Sequence, residues 1–240
     1  MFDFLKEKAE AFNINLSDEQ VEKFKEYLRL LTEFNRHTNL VSSTELKIVI
    51  EKHFLDSLSL GLASGEIDFT RNLNVIDIGI GGGFPGIPLI IAFPHWKLCA
   101  VDSVAKKLNF IKILAEKLKL TDKVEVIAAR AEELARQPDK REHFDLAVTR
   151  AVAKMNVISE YCLPFVKKGG YFAAYKAKTA SEELQEAQRA ISELGGEHVL
   201  TLNSTVSGNE QRNLILIEKT APTPDKYPRK TGKPSKKPLI

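Results

Sequence analysis

The spacing of hydrophobic positions changes along this chain, and each change predicts a different kind of element. Val21, Phe24, Leu28, Leu31 and Phe34 recur at helical spacing behind a Ser17/Gln20 capping box, which predicts an amphipathic helix. Shorter helical patterns follow around 44–51 and 54–62, so residues 1–70 read as an N-terminal helical section. Beyond it, short apolar runs alternate with helical ones. In order these are LNVIDI, a helix from about Gly86, KLCAVD, a helix over 104–118, KVEVIA, a short helix near Glu132, FDLAVT, a helix over 155–165 and GYFAAYK. Alternation of this kind predicts an α/β fold with a parallel sheet covered by helices on both faces. A helix over 182–194 precedes EHVLTLN and NLILIEK, with the polar turn STVSGNEQR between them and no helix. Those two strands are expected to close the sheet as an antiparallel pair.

Charge divides the chain again. The net charge is +3, yet residues 226–240 hold six bases (Lys226, Arg229, Lys230, Lys233, Lys236, Lys237) and no acid, so the remainder is net acidic. Half of the ten prolines fall after residue 221. The segment 221–240 is therefore expected to be extended or disordered, without helix. It reads as a basic arm for a polyanion in preference to a solubilising tail. The α/β domain then spans 71–220. A composition of 43% hydrophobic and 28% charged residues is that of a soluble domain. No apolar run is long enough for a membrane span, and the N-terminus lacks the pattern of a secretory signal, so a cytoplasmic protein is expected. Cys99 and Cys162, each inside an apolar pattern, read as buried free thiols.

The candidate chemistry lies in NVIDIGIGGGFPGIPL, residues 74–89, where an apolar strand runs into an acid and five glycines. It falls between the first strand and first helix of the α/β region, where open parallel sheets bind ligands. Gly81–Gly86, with Asp102 about 20 residues on, also fits the dinucleotide pattern. Asp77 argues against that ligand, because a carboxylate below the loop repels a pyrophosphate. S-adenosylmethionine, with an ammonium and a sulfonium, is favoured there, directly or through a water. Gly79, Gly81 and Gly83 would give close backbone approach. Asp102 would accept from the ribose hydroxyls, and Ala131 with Glu132 would meet the adenine edge. No Cys/His cluster has metal spacing, and no metal is expected. His53, Asp56 and Ser57 are too close in sequence to build a hydrolase triad. His53 reads either as a packed histidine or as a contact of the site. Asn35 and Asn39 read as helix caps or as part of the substrate side.

These stretches resemble the RsmG or GidB family of small-subunit ribosomal RNA guanine-N7 methyltransferases. The likeness extends over nearly the whole chain. It lies in NRHTNLVSS, HFLDSL, DIGIGGGFPGIPL, VDSVAKKLNFI, FDLAVTRAV, YKA and KYPRKTGKPSKKPL. It implies a Rossmann-like methyltransferase fold and methyl transfer from S-adenosylmethionine to guanine N7 in 16S ribosomal RNA. It also implies cofactor contacts at Gly79, Phe84, Ala131, Glu132 and Arg150, with Ser103 beside Asp102. Arg150, in TRAV after the fourth strand, is the residue expected nearest the reaction, exposed at a strand end. The partner is ribosomal RNA or the small subunit, with the protein a monomer. A methyltransferase for another RNA or a protein, a nicotinamide-dependent oxidoreductase and a non-catalytic RNA-binding protein are the rival readings.

Overall fold

The computed structural model describes residues 1–150, 152–177, 180–207 and 210–240. The chain opens with α1 (Phe2–Glu10) and α2 (Asp18–Thr38), followed by α3 (Leu46–Val49), a π-helical turn Ile50–Leu55, α4 (Asp56–Leu58) and a 3₁₀ turn Ser59–Ala63. The α/β part runs β1 (Asn74–Ile78), α5 (Gly86–Ala92), β2 (Lys97–Asp102), α6 (Ala105–Lys117), β3 (Val124–Ala128), α7 (Ala131–Leu134), β4 (Phe144–Arg150), α8 (Met155–Cys162), β5 (Val166–Lys176), α9 (Ala180–Glu193), β6 (Gly196–Ser207) and β7 (Glu210–Lys219). A last turn of helix, α10, spans Lys233–Lys236. The tip of the turn expected in STVSGNEQR, Gly208 and Asn209, and Ala151 of TRAV lie outside the described residues.

The strands form one sheet in the order β3-β2-β1-β4-β5-β7-β6. Its first five strands are parallel, and β7 pairs antiparallel with both β5 and β6, as the missing helix between the last two strands predicts. From β1 the chain builds outward first through β2 and β3 and then through β4 and β5. The crossovers therefore part above β1 and β4, leaving a crevice at their carboxyl ends. In β1, Val75 packs with the core on one face of the sheet and Ile76 with the core on the other, which is the period-two alternation of a fully covered strand.

The N-terminal helices are part of the first of these cores. Phe24, Tyr27, Leu30 and Leu31 of α2 are buried in the same cluster as Val75, Leu98 and Phe110. The capping box also works across elements. Ser17 Oγ accepts from Gln20 N and Gln20 Oε1 from Ser17 N, while Gln20 Nε2 donates to the carbonyls of Ile91 and Ala92 at the end of α5. Two helices were not anticipated. α1 buries Leu5 and Ala9, which with Phe2 follow helical spacing in MFDFLKEKAE. α10 begins at Lys233 with Pro234 in its first turn, a position where proline sacrifices no helical hydrogen bond. Cys99 and Cys162 are buried and unbonded.

The segment 221–240 is ordered against the body, contrary to the expectation of an extended or disordered arm. Arg141 donates to the carbonyls of Thr223, Pro224 and Tyr227. Buried Lys219 donates to Glu142 and to Thr223 Oγ1. Arg229 grips Glu160, a fully buried carboxylate of α8, with its backbone N, Nε and Nη2. Proline content removes backbone donors and helix, but side chains of the body supply partners for the remaining carbonyls, so proline alone does not imply disorder.

Candidate active site

The loop after β1 opens into a cavity of about 490 Å³ at the carboxyl ends of β1, β2, β3 and β4. Gly79, Gly81, Phe84, Asp102, Ser103, Ala131, Glu132 and Arg150 line it, together with Leu40, Val41, His53, Lys107 and Tyr161. The structure thus gathers eight of the ten residues expected at the cofactor into one concavity. At Gly81, φ is +57° and an added Cβ would have only Gly79 O near it, at 3.7 Å. The backbone there is left-handed and has open space beside it, which suits close approach by a ligand.

Gly83 has a different role from the one expected. It does not line the cavity; with φ at +101°, an added Cβ would lie 2.3 Å from the Tyr27 hydroxyl. Its bareness admits Tyr27, whose hydroxyl donates to Gly82 O at 2.6 Å and whose ring stacks on Phe84 at 5.2 Å.

Asp77 also lies off the lining, fully buried one residue before it begins. Its Oδ2 accepts from Gly86 N at 2.8 Å, capping the start of α5, while Oδ1 has no hydrogen-bond partner among the described residues. Burial pushes the carboxyl up to about 7, against the opposing pull of the Gly86 N–H and the charge of Arg150. An under-satisfied buried carboxylate is costly, and a cation nearby would relieve it. Asp102 ends β2 with Oδ2 accepting from Gly81 N (3.1 Å) and Oδ1 from Val104 N (2.9 Å). Each oxygen has one backbone donor and retains acceptor capacity toward the cavity. At the start of α7, Glu132 is buried and its Oε1 accepts from Gly232 N at 2.9 Å, so the C-terminal segment reaches the cavity wall.

Arg150 is not the exposed strand-end residue expected from the sequence. Only 15% of its side chain is exposed. Its Nη1 donates to Asp56 Oδ2 and to Lys52 O, both at 3.1 Å, its Nη2 donates to His53 Nδ1 at 3.2 Å, and the guanidinium lies 4.8 Å from the centre of the Phe84 ring. The π-helical turn presents His53 and the Lys52 carbonyl to one guanidinium. Burial first, then the charge of Arg150, lowers the His53 ring to about 4, and burial raises the Asp56 carboxyl. The Ser57 hydroxyl donates to His53 O, within the helix. Asn39 ends α2 in the left-handed region, and the Asn35 amide brackets the backbone of Val41, so both asparagines shape the loop that brings Leu40 and Val41 to the cavity.

Sequence reasoning missed Asp56, Lys107 and Tyr161. Asp56 had been considered only for a triad, and no local pattern links it to a residue 94 positions away. Of the six basic residues of the C-terminal segment, Arg229 is committed to Glu160 and Lys226 pairs with Glu193 at 2.8 Å. Lys230, Lys233, Lys236 and Lys237 form no ion pair among the described residues. They follow or flank Gly232, at the cavity wall.

Similar proteins are found both by fold and by sequence. The solved structure of a putative sarcosine dimethylglycine methyltransferase from Galdieria sulphuraria superposes with a TM-score of 0.52 at 13% identity, over 69% of this chain and 88% of that one. The [4+2]-cyclase SpnF gives 0.52 at 12% identity, over 71% and 82%. At these identities the likeness is one of fold. Sequence relatives are far nearer. Proteins named ribosomal RNA small subunit methyltransferase G from Lactobacillus acidophilus and Desulfitobacterium hafniense are 48% and 46% identical, covering 95% and 96% of this chain and 94% of each relative. The one from Bacillus velezensis is 44% identical over 99% of this chain and 98% of its own length. The family model for rRNA small subunit methyltransferase G matches residues 20–215, and with the sheet order and the glycine-floored cavity this makes the chain a member of the GidB family.

Proposed function

We propose that this chain transfers a methyl group from S-adenosylmethionine to N7 of a guanine in small-subunit (16S) ribosomal RNA. The observation that carries the reading is the buried, unpartnered Oδ1 of Asp77 at the edge of a cavity floored by Gly79–Gly82, in a chain of this family. The donor set fits the cofactor. Asp77 favours a cation and disfavours a pyrophosphate, Asp102 has acceptor capacity for a diol, and Ala131 and Glu132 stand where an adenine edge would lie. When bound, the cofactor supplies an electrophilic methyl group on a sulfonium.

The chain's own part is placement. Guanine N7 offers a lone pair without losing a proton, so no side chain is needed as a general base; alignment supplies the rate. Arg150, held by Asp56, Lys52 O and His53, is a rigid positive edge that positions base, phosphate or cofactor carboxylate. Residues 1–70 form the substrate-side wall through Leu40, Val41 and His53, residues 71–220 supply the cofactor side, and the ordered segment 221–240 offers Lys230, Lys233, Lys236 and Lys237 to RNA phosphates. The protein acts as a monomer in the cytoplasm, on ribosomal RNA or the small subunit.

The test is incubation with labelled S-adenosylmethionine and ribosomal RNA, free and in particles, with mapping of the modified base. Label at guanine N7 is expected. RNA binding without transfer, or calorimetric binding of a nicotinamide cofactor in place of S-adenosylmethionine, defeats the reading.

A further inference from the structure

His53 lies on the π-helical turn and lines the cavity, and its neighbours determine which of its nitrogens carries the proton. Arg150 Nη2 lies 3.2 Å from Nδ1. A guanidinium has donors and no acceptor, so Nδ1 is the accepting nitrogen and the proton sits on Nε2. The ring is neutral at physiological pH, because burial and then the charge of Arg150 hold it at about 4. Nε2 is shielded from solvent and has no hydrogen-bond partner among the described residues. An N–H left in this state opposes folding. Arg150 on one side and Phe84, 4.8 Å away between ring centres, nevertheless hold the ring in place. The result is a fixed, neutral donor without a hydrogen-bond partner among the described residues.

Its position separates base from cofactor. The groups assigned to the cofactor follow the carboxyl ends of β1, β2 and β3, whereas His53 comes from the helical section together with Leu40 and Val41. The Hoogsteen edge of guanine presents two acceptors, N7 and O6; adenine presents N7 beside an amino donor.

We propose that His53 Nε2–H donates to O6 of the target guanine, so that the histidine both selects the base and sets the direction of the N7 lone pair. The inference rests on the methyl-transfer reading above. Nε2 is covered in this structure, so base entry has to uncover it. Neutrality of the ring adds no second positive charge beside Arg150 as N7 methylation makes the base cationic. The same charge weakens O6 as an acceptor while the methyl group transfers. The bond therefore acts mainly in binding and orientation, and its loss falls on KM more than on kcat.

The experiment uses the full chain and a small-subunit RNA carrying either guanine or 2-aminopurine, which lacks O6, at the nucleotide that the wild type methylates. His53→Ala is expected to lower kcat/KM on guanine by roughly 10–100-fold, chiefly through KM, as a lost buried hydrogen bond to substrate does. It should also reduce the guanine to 2-aminopurine preference at least tenfold, while calorimetric affinity for S-adenosylmethionine stays within about twofold. His53→Gln, which keeps a side-chain N–H, should recover part of the preference and serves as the measured variant if alanine does not fold. A preference unchanged by these substitutions, or cofactor affinity falling as far as turnover, overturns the proposal. A wild type that methylates no guanine RNA would instead defeat the methyl-transfer reading.

Discussion

Two arginines invite comparison. Arg150 and Arg229 are almost equally buried, with side chains 15% and 16% exposed, and each pairs with a buried carboxylate, Asp56 and Glu160. Arg229 spends its backbone N, Nε and Nη2 on the two oxygens of Glu160. Arg150 divides its bonds among Asp56, Lys52 O and His53. The histidine it grips has an unpartnered Nε2, and the unpartnered Oδ1 of Asp77 belongs to the same electrostatic group. Burial and pairing alone do not distinguish a structural ion pair from a functional one. What sets the Arg150 side apart is unsatisfied polar atoms beside an open cavity, which a ligand could pair.

The largest effect that would break this contrast comes from removing the closed side altogether. Truncation after Pro224 takes away Arg229 and buried Tyr227 and strands Glu160. It should cost roughly 5 kcal/mol or more and abolish folding at moderate temperature, measured by thermal melting. A truncated chain that melts like the full one would return the segment to the status of a loose arm.

Arg229→Ala isolates the pair and should cost about 3–5 kcal/mol, with a melting temperature lower by roughly 10 °C. Below the melt, its affinity for S-adenosylmethionine should change little. Arg150→Lys is the counterpart. The ammonium keeps the charge beside Asp56 but loses the fork, so turnover should drop roughly 100-fold for a stability loss of about 1–2 kcal/mol. If single-turnover rates survive in Arg150→Lys, or if Arg229→Ala is the slower enzyme, the two sides have been assigned the wrong way round.

Asp77 sharpens the comparison through pH. Its folded value of about 7 lies above the ordinary carboxylate value, so the folded protein favours the neutral form. The stability this contributes is complete below the unfolded value and is lost as pH rises through 7. Asp77→Asn should therefore stabilise the protein by about 1–2 kcal/mol at pH 8, and little at pH 4. It should at the same time weaken S-adenosylmethionine at least tenfold by removing a charge-assisted contact. Denaturant unfolding at the two pH values, with calorimetry at the higher one, reads both; unaltered affinity would leave Asp77 a helix cap only.

The smallest effect on the fold, and a selective one on RNA, belongs to the four lysines that form no ion pair among the described residues. Changing Lys230, Lys233, Lys236 and Lys237 together to Gln should leave the melting temperature within about 1 °C. The slope of log affinity against log salt should flatten by up to roughly 3 units, at about 0.7–0.9 for each lost phosphate contact. An unchanged slope would direct attention to Arg36 and His37.

The sheet was legible in the sequence because a strand covered on both faces is an apolar run and a covering helix has its own period, and both signals are local. β2 was read at its observed limits, Lys97–Asp102. The cavity was legible for a related reason: in a parallel sheet the loop after a strand always faces the carboxyl end, so Gly79, Gly81, Asp102 and Glu132 converge whatever their distance in sequence. Gly83 was misread because a glycine that bares backbone to a ligand and one that makes room for Tyr27 look identical in a string of letters.

The amino-acid sequence by itself determined the order of strands and helices, the closing antiparallel pair, the acid and glycines at the end of β1 and the basic character of the last residues. These follow from period, composition and local backbone preference, which need no distant partner. Tertiary structure alone decided that Arg150 is clasped by Lys52 and His53 of the π-helical turn and by Asp56 of α4, 94 to 98 residues earlier in the chain, and that Arg229 is spent on Glu160. It also decided that the proline-rich end is ordered against the cavity wall. Each of these depends on which buried polar group finds which partner across the fold, and the cost of leaving such a group unpaired is paid in three-dimensional space, where sequence distance carries no information.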